Sequence, residues 1–112
     1  MVADNQQGRP IESLSQYIAG FVDGEGSFHV GIHRRKQLSL GWQVYCEFHV
    51  SQHRNRAEIL DMIKKVFGCG YVKDNHPGST RDLTKVFVVR NQQDLLEKVI
   101  PFFRKYPLIS PK

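Results

Sequence analysis

Two stretches of alternating apolar and polar residues constrain the fold of this chain more than any other feature. Their apolar positions, at every second residue, are Phe28, Val30 and Ile32 in the first stretch and Trp42, Val44, Cys46, Phe48 and Val50 in the second. Successive side chains of a β-strand point to opposite faces, so each stretch predicts a strand with one apolar and one polar face. We expect a long antiparallel hairpin whose apolar face is packed inward against helices.

Helical periodicity precedes and follows this hairpin. A first helix is predicted over residues 12–23, with Ser13 as its cap and Gly24 just beyond its end. A second helix is predicted to begin at the capping residue Asn55 and to stop at Gly68.

The remaining elements are shorter. Residues 71–74 and 84–90 are β-rich, and a loop over 76–82 separates them. A last helix is predicted over about 92–103. The order helix, strand, strand, helix, strand, strand, helix predicts an α+β fold, in which an antiparallel sheet has its helices on one face.

Size and charge limit the class of protein. A chain of 112 residues fits one domain, and 16 basic against 11 acidic residues give a formal charge of +5. This balance favours a polyanionic partner such as nucleic acid, the alternative being an ordinary basic surface. We expect no membrane partner and no secretion signal, and an intracellular setting in which Cys46 and Cys69 stay reduced, although the host is not distinguishable. The sequence has no internal repeat, so any symmetry must come from a second copy.

The first helix carries two glycines at helical spacing. Gly20 and Gly24 lie four residues apart, with Ala19 and Asp23 beside them. A glycine inside a helix costs about 1 kcal/mol relative to alanine, and such glycines usually let another backbone approach closely. The spacing therefore predicts a tight helix–helix interface.

The same helix ends in two acids, Asp23 and Glu25. The carboxyl end of a helix carries negative partial charge, so carboxylates there require a positive partner. A divalent metal ion with hard oxygen ligands would supply one. The alternative is that the Asp-Gly-Glu-Gly run is a polar turn leaving the helix.

Residues 18–26 resemble the nine-residue LAGLIDADG motif of homing endonucleases, with Ile, Phe, Val, Gly and Glu as substitutions. The resemblance implies an αββαββα core with a saddle-shaped sheet, in which residues 12–26 form the motif helix and metal-binding turn. Residues 27–90 would form the sheet with one intervening helix, 91–103 the last core helix and 104–112 a tail.

The resemblance also implies an activity. Two motif helices would pair in a homodimer through Ala19, Gly20, Asp23 and Gly24, with Asp23 bracing the helix end rather than binding metal. Glu25 and the Gly24 carbonyl would bind Mg²⁺, with Ca²⁺ or Mn²⁺ as substitutes. The dimer would make double-strand breaks in DNA at a long, near-palindromic site, as enzymes of intron or intein mobility do.

Two further catalytic residues follow from the resemblance. Gln52 matches the glutamine that contacts the water network, the alternative being an ordinary residue before a helix. Lys112 matches the basic residue near the scissile phosphate, the alternative being a frayed tail. Family members normally continue beyond this lysine into further helices, so a truncated, degenerate or engineered subunit is the alternative to an active one.

The polar face of the sheet is the expected DNA-binding surface, since a strand ribbon fits the major groove. Its predicted members are Ser27, His29, His33, Arg35, Gln43, Tyr45, Glu47, His49, Ser51, Lys73, Asn75 and Lys85. Phosphate contacts are predicted for His33, Arg34, Arg35, Lys36, His53, Arg54 and Arg56. The alternative is the solvated face that any antiparallel sheet presents. No histidine has the spacing of a metal ligand.

Two rival functions stay open. One is a nucleic-acid-binding module that has lost cleavage, such as an intron-splicing helper or a regulator. The other is a half-subunit that needs a different partner chain. Neither reading, nor the nuclease, implies a small-molecule substrate.

Overall fold

The structure, a computed structural model, describes residues 10–34, 36 and 41–111, apart from the side chains of residues 10, 11 and 33. Its four strands form one antiparallel sheet in the order β1-β2-β4-β3. The strands are β1 (Gly26–Arg34), β2 (Trp42–His53), β3 (Tyr71–Asp74) and β4 (Thr84–Val89). The helices are α1 (Pro10–Glu25), α2 (Glu58–Phe67) and α3, which begins at Gln92 and ends at Lys105. The predicted α+β class and element order are confirmed.

The hairpin has an inner end, where Gly26 pairs with Val50, and an outer end, where Arg34 pairs with Trp42. The core lies between the helices and the inner end. It contains Ile18 and Val22 from α1, Leu60 and Ile63 from α2, and Phe48, Val50, Phe87 and Val89 from the sheet, all with at most 1% exposure. Phe48 is its centre, since its ring meets those of Phe67 and Phe87 edge to face at 5.9 and 6.3 Å. Burying each such side chain contributes about 1.5–3 kcal/mol, which fixes the sheet beneath α1.

The outer end of the hairpin departs from the sequence prediction. The apolar side chains of Val30, Ile32, Trp42 and Val44 are 56–67% exposed, so the prediction that the whole apolar face packs inward is wrong there. The pairs Ile32/Val44 and Arg34/Trp42 lie beyond the buried Phe48. Alternation reports that a strand has two faces, but it does not report how far the helices reach along it.

Two helix starts also differ from prediction. Helix α1 begins at Pro10 rather than at residue 12, as suits proline, whose missing N–H has no partner in a first turn. Asn55 does not cap α2, because it lies in a 3-10 turn, Arg54–Arg56, that the His53 side chain caps. Gly68 ends α2 as predicted, with a positive φ of 71°.

Helix α3 is interrupted by a π-helical turn, Leu95–Val99. The predicted helix over about 92–103 is present, and its middle turn is wider than an α-helical one. The Ile100 N–H bonds the Leu95 carbonyl, five residues back. Pro101 has no N–H to continue an α-helical ladder, so the wider turn accommodates it.

Two expectations from composition can be compared with the described residues. No helix among them is long and apolar enough to cross a membrane. Cys46 and Cys69 are both free thiols, and burial raises the pKa of the Cys69 thiol.

Candidate functional site

One face of α1 is open in the single chain. A Cβ atom added to Gly20 or Gly24 would meet nothing within 4 Å. Tyr17, three and seven residues before these glycines, is 58% exposed on the same face. No close approach within the described chain therefore accounts for glycine at either position, although each weakens the helix by about 1 kcal/mol.

The tail borders this face. Ile109 is 97% exposed, and a shallow groove of about 310 Å³ runs between the tail and Ala19, Gly20 and Asp23 of α1. Ala19 is only 7% exposed, so unlike the glycines it is already buried in its own chain. The open surface therefore combines two glycines with exposed apolar side chains.

Asp23 holds the tail against the end of α1. Its carboxylate accepts the backbone N–H of Ile109 at 2.9 Å and that of Ser110 at 3.2 Å. These two donors provide positive partial charge at the carboxyl end of the helix. Asp23 thus joins the end of α1 to the tail, while its predicted role in bracing a paired helix end stays a prediction.

The turn after α1 is tightly built around Gly26. A Cβ there would lie 2.7 Å from Val22 Cγ1 and 2.9 Å from the Val22 carbonyl oxygen. Only glycine lets β1 begin directly against the last turn of α1. This close approach fixes Glu25, which is exposed, at the junction of helix and sheet.

The oxygen atoms at this junction suit a hard divalent cation. They are the Glu25 carboxylate and the carbonyls at the end of α1, which have no partner within the helix. The last turn of α1 contains no basic residue that would neutralise them. Within the part of the chain that the structure describes, no three His, Cys, Asp or Glu side chains form a metal-binding group. Mg²⁺ is usually bound through one or two carboxylates, with waters and substrate phosphate oxygens as its other ligands, so a site at Glu25 does not need such a group.

The polar face of the β1–β2 hairpin is continuous. The register pairs Ser27 with His49, His29 with Glu47, Gly31 with Tyr45 and His33 with Gln43. At Gly31 an added Cβ would lie 2.1 Å from Cζ of Tyr45, so the tyrosine ring lies directly over the glycine. The sequence prediction that these positions share one face is confirmed, while their contacts with DNA stay a prediction.

Comparison with known proteins decides the family. A sequence profile of the LAGLIDADG endonuclease family matches residues 18–112, which is most of the chain.

The chain belongs to the LAGLIDADG endonuclease family.

Relatives share this assignment. The chain is 34% identical over 90 residues to DNA endonuclease I-CeuI of Chlamydomonas moewusii, covering 80% of this chain and 40% of that protein. It is 32% identical over 88 residues to DNA endonuclease I-CreI of Chlamydomonas reinhardtii, covering 79% and 52%. The chain thus spans about half, or less, of the length of these two relatives.

Solved structures give the same fold. The I-LtrWI LAGLIDADG homing endonuclease bound to target DNA matches with a TM-score of 0.81 and 36% identity, over 89% of this chain and 33% of that one. The homing endonuclease I-TnaI matches with a TM-score of 0.77 and 38% identity, over 86% and 61%.

The two remaining positions that the LAGLIDADG resemblance marks as catalytic lie differently. Gln52 extends past the Gly26/Val50 pair, so it lies at the same end of the sheet as Glu25. Its Oε1 accepts the His53 N–H at 2.9 Å. Lys112 lies outside the described residues, although Ser110, two positions earlier, is held by Asp23. The roles of Gln52 and Lys112 stay predictions.

The other two strands extend the polar face only in part. Lys73 pairs with Val86 and lies on the polar face. On the same face β4 has Val86 and Val88, which are apolar and buried. Lys85 alternates to the helix side and pairs with Asp74 at 3.5 Å, so its predicted position was wrong. The parity of a strand is certain only once its register is known.

The predicted phosphate contacts lie at both ends of the hairpin. At the outer end Arg34 and Lys36 are exposed, while Arg35 and the side chain of His33 lie outside what the structure describes. At the inner end Arg54 and Arg56 are exposed, and His53 is half-buried.

Asn75 does not stand free on the polar face. Its side-chain amide donates to the Asp82 carboxylate at 3.0 Å within the β3–β4 loop. His76, the Thr84 backbone and Asn75 all hydrogen-bond this carboxylate. These hydrogen bonds, of which the one from His76 has the largest effect, hold the pKa of Asp82 well below its usual range.

Arg90 is a polar-face residue that sequence reasoning missed. It lies one position beyond the Phe48/Val89 pair, and its Nε donates to Oε2 of Glu47 at 2.7 Å. The alternation of Val86, Val88 and Arg90 indicated that Arg90 lies on the same face of the sheet as Ser51 and His49. It was hidden because two of the three residues are apolar.

Proposed function

We propose that this chain is the motif-bearing part of a site-specific DNA endonuclease that acts as a homodimer and needs a divalent metal ion. The observation that carries the proposal is the open Gly20/Gly24 face of α1, which ends at the exposed carboxylate of Glu25. This arrangement unites a pairing surface and a metal ligand on one helix.

Pairing explains the glycines. Two α1 helices related by a two-fold axis would place backbone against backbone at Gly20 and Gly24, and would cover Tyr17 and Ile109. The helix ends would meet in the same step. Each chain would then bring its own Glu25 to the axis.

Two Glu25 carboxylates would match the one or two carboxylates through which Mg²⁺ is usually bound. With the Gly24 carbonyls and DNA phosphate oxygens, they would provide a hard-oxygen shell of the kind that Mg²⁺ requires. A bound Mg²⁺ supplies charge stabilisation to phosphate oxygens and lowers the pKa of a water ligand. The chain's own contribution is to fix the backbone next to Glu25, through Gly26 and the Asp23 brace.

DNA as the substrate is supported by charge, shape and kinship. The formal charge is +5, and the hairpin carries hydrogen-bonding side chains on one face. The relatives named above are called DNA endonucleases, and I-LtrWI was crystallised on its target DNA. A homodimer with one motif per chain requires a palindromic or nearly palindromic site.

Cleavage of a randomised DNA library with Mg²⁺ tests the proposal. We expect double-strand breaks at near-palindromic sites with the unmodified chain and with Glu12→Gln, which removes the same charge from the start of α1. Glu25→Gln should abolish cleavage and still bind the selected DNA in Ca²⁺. DNA binding without any cleavage by the unmodified chain would contradict the nuclease proposal and favour a binding module.

The oligomeric state is tested separately by sedimentation with and without selected DNA. A homodimer on DNA is the expected result. Cleavage of a strictly asymmetric site by this chain, or a monomer on cleaved DNA, would contradict the homodimer.

A further inference from the structure

Three polar side chains, two from β2 and one from the residue that follows β4, meet on the polar face of the sheet. Glu47 of β2 accepts from Nε2 of His49 at 2.8 Å through Oε1 and from Nε of Arg90 at 2.7 Å through Oε2. The His29 ring of β1 stacks on His49, with centroids 6.2 Å apart and an interplanar angle of 11°. Both partners of Glu47 are therefore held at one defined atom each.

Glu47 itself is a poor candidate for contact with DNA. Its side chain is only 12% exposed, while those of His49 and Arg90 are 33% and 57% exposed. Both of its carboxylate oxygens already accept a hydrogen bond. A free carboxylate would repel phosphates, so its neutralisation by Arg90 makes this surface suitable for a polyanion.

We propose that Glu47 is a positioning residue for sequence recognition, which orients His49 and Arg90 to read adjacent bases in the major groove. The proposal rests on the proposed function, that this face binds DNA. It differs from the simple expectation that Glu47 contacts a base.

The hydrogen bonds define what each partner can read. Because Nε2 of His49 donates to Glu47, a neutral His49 carries its proton on Nε2 and has Nδ1 as an acceptor. An acceptor in the major groove matches the amino group of cytosine or adenine. Because Arg90 uses Nε for Glu47, its two terminal nitrogens remain as donors, which match O6 and N7 of guanine. The unit therefore selects a guanine next to an amino-bearing base, once in each half-site.

Stability alone does not account for the network. His49 and Arg90 both keep part of their exposure to solvent, and ion pairs of such side chains add little to folding stability. Substitution of Glu47 should consequently change base preference more than folding. A structural role would instead lower the melting temperature and weaken preference at every position of the site.

The experiment is selection of bound sequences from a randomised duplex library in Ca²⁺, with the unmodified chain, Glu47→Gln, Arg90→Ala and the double variant. Glu97→Gln removes the same charge from α3 and is the control. We expect Glu47→Gln to reduce discrimination roughly five- to a hundred-fold at one or two adjacent base pairs of each half-site and to leave the others unchanged. The double variant should be no worse at the guanine than Arg90→Ala alone.

The outcomes separate this inference from the function on which it rests. An unmodified chain that selects no DNA overturns both. Selection that Glu47→Gln leaves unchanged, or effects of Glu47 and Arg90 that add independently at the guanine, overturns the positioning role alone. Nitrogen NMR of His49 gives a further readout, because Glu47→Gln should shift its neutral ring from the Nε2–H tautomer towards a mixture.

Discussion

The carboxylate of Asp23 at the end of α1 accepts the backbone N–H of Ser110, a residue 87 positions later in the chain. This contact and its neighbour at Ile109 bind the tail to the helix that carries Glu25. The motif helix therefore organises three parts of the molecule: the sheet through Gly26, the tail through Asp23 and, as we propose, a second chain through its glycines.

Loss of the Asp23 carboxylate should release the tail. Asp23→Ala removes the acceptor for two backbone donors, one exposed and one part-buried, each bond being worth about 0.5–1.5 kcal/mol. Relief of the unfavourable charge at the helix end offsets part of that loss. We expect a net destabilisation of about 1–2 kcal/mol, and faster hydrogen exchange at the amides of Ile109 and Ser110. Unchanged exchange at those two amides would show that the tail is held by other contacts.

A bulky side chain at Gly20 should weaken dimerisation without weakening the fold of the single chain. Gly20→Leu points into open space in the single chain and improves helix propensity by about 0.8 kcal/mol, so the monomer should fold at least as stably. In a backbone-to-backbone interface the same side chain has no room. We expect the dimer dissociation constant on sedimentation to rise at least roughly tenfold, which corresponds to 1.4 kcal/mol. Ser13→Leu, in the exposed first turn, is the control, and equal dimerisation of both variants would exclude Gly20 from the interface.

The outer end of the hairpin should tolerate polar substitution. Ile32 is 64% exposed although it lies in the apolar register, whereas Phe48 in the same face is fully buried. Ile32→Thr keeps the β-branched shape and should change the free energy of unfolding by less than about 0.5 kcal/mol. Phe48→Ala should lower it by about 3–5 kcal/mol. Urea denaturation measures both, and a loss above 1.5 kcal/mol for Ile32→Thr would indicate that this face is covered in solution.

The elements could be predicted from sequence because they depend on local patterns. Alternation gave the hairpin, and helical spacing with Gly68 gave the end of α2. The predictions that failed depend on contacts between residues distant in sequence. The face on which Lys85 lies follows from its pairing with Gln52. The exposure of Val44 follows from how far the helices reach along the hairpin. Helical spacing predicted that residues 95–99 are helical, but it does not report the wider π turn that they form.

The candidate site divides in the same way. Glu25 and Gly24 were recognisable because the motif is contiguous. The network of Glu47 with Arg90 was not, since its members are 43 positions apart and meet only when β2 and β4 pair. The sequence could show which face is polar, but not which of its residues are already bonded to one another.

The β3–β4 loop should loosen in acid through one carboxylate. The pKa of Asp82 is depressed by hydrogen bonds from His76, Thr84 and Asn75, in that order. The pKa of an unfolded aspartate is near 3.9, and above that pH the ionised Asp82 stabilises the loop. This stabilisation is lost as the pH falls from the unfolded pKa through the lower folded pKa. The loop should therefore be fully ordered above about pH 5 and should open progressively below about pH 4. Asp82→Asn should raise amide exchange at Thr84 at neutral pH, and the difference from the unmodified chain should vanish at low pH. A difference that persists unchanged below pH 2, or one absent at pH 7, would show that the Asp82 charge does not hold the loop.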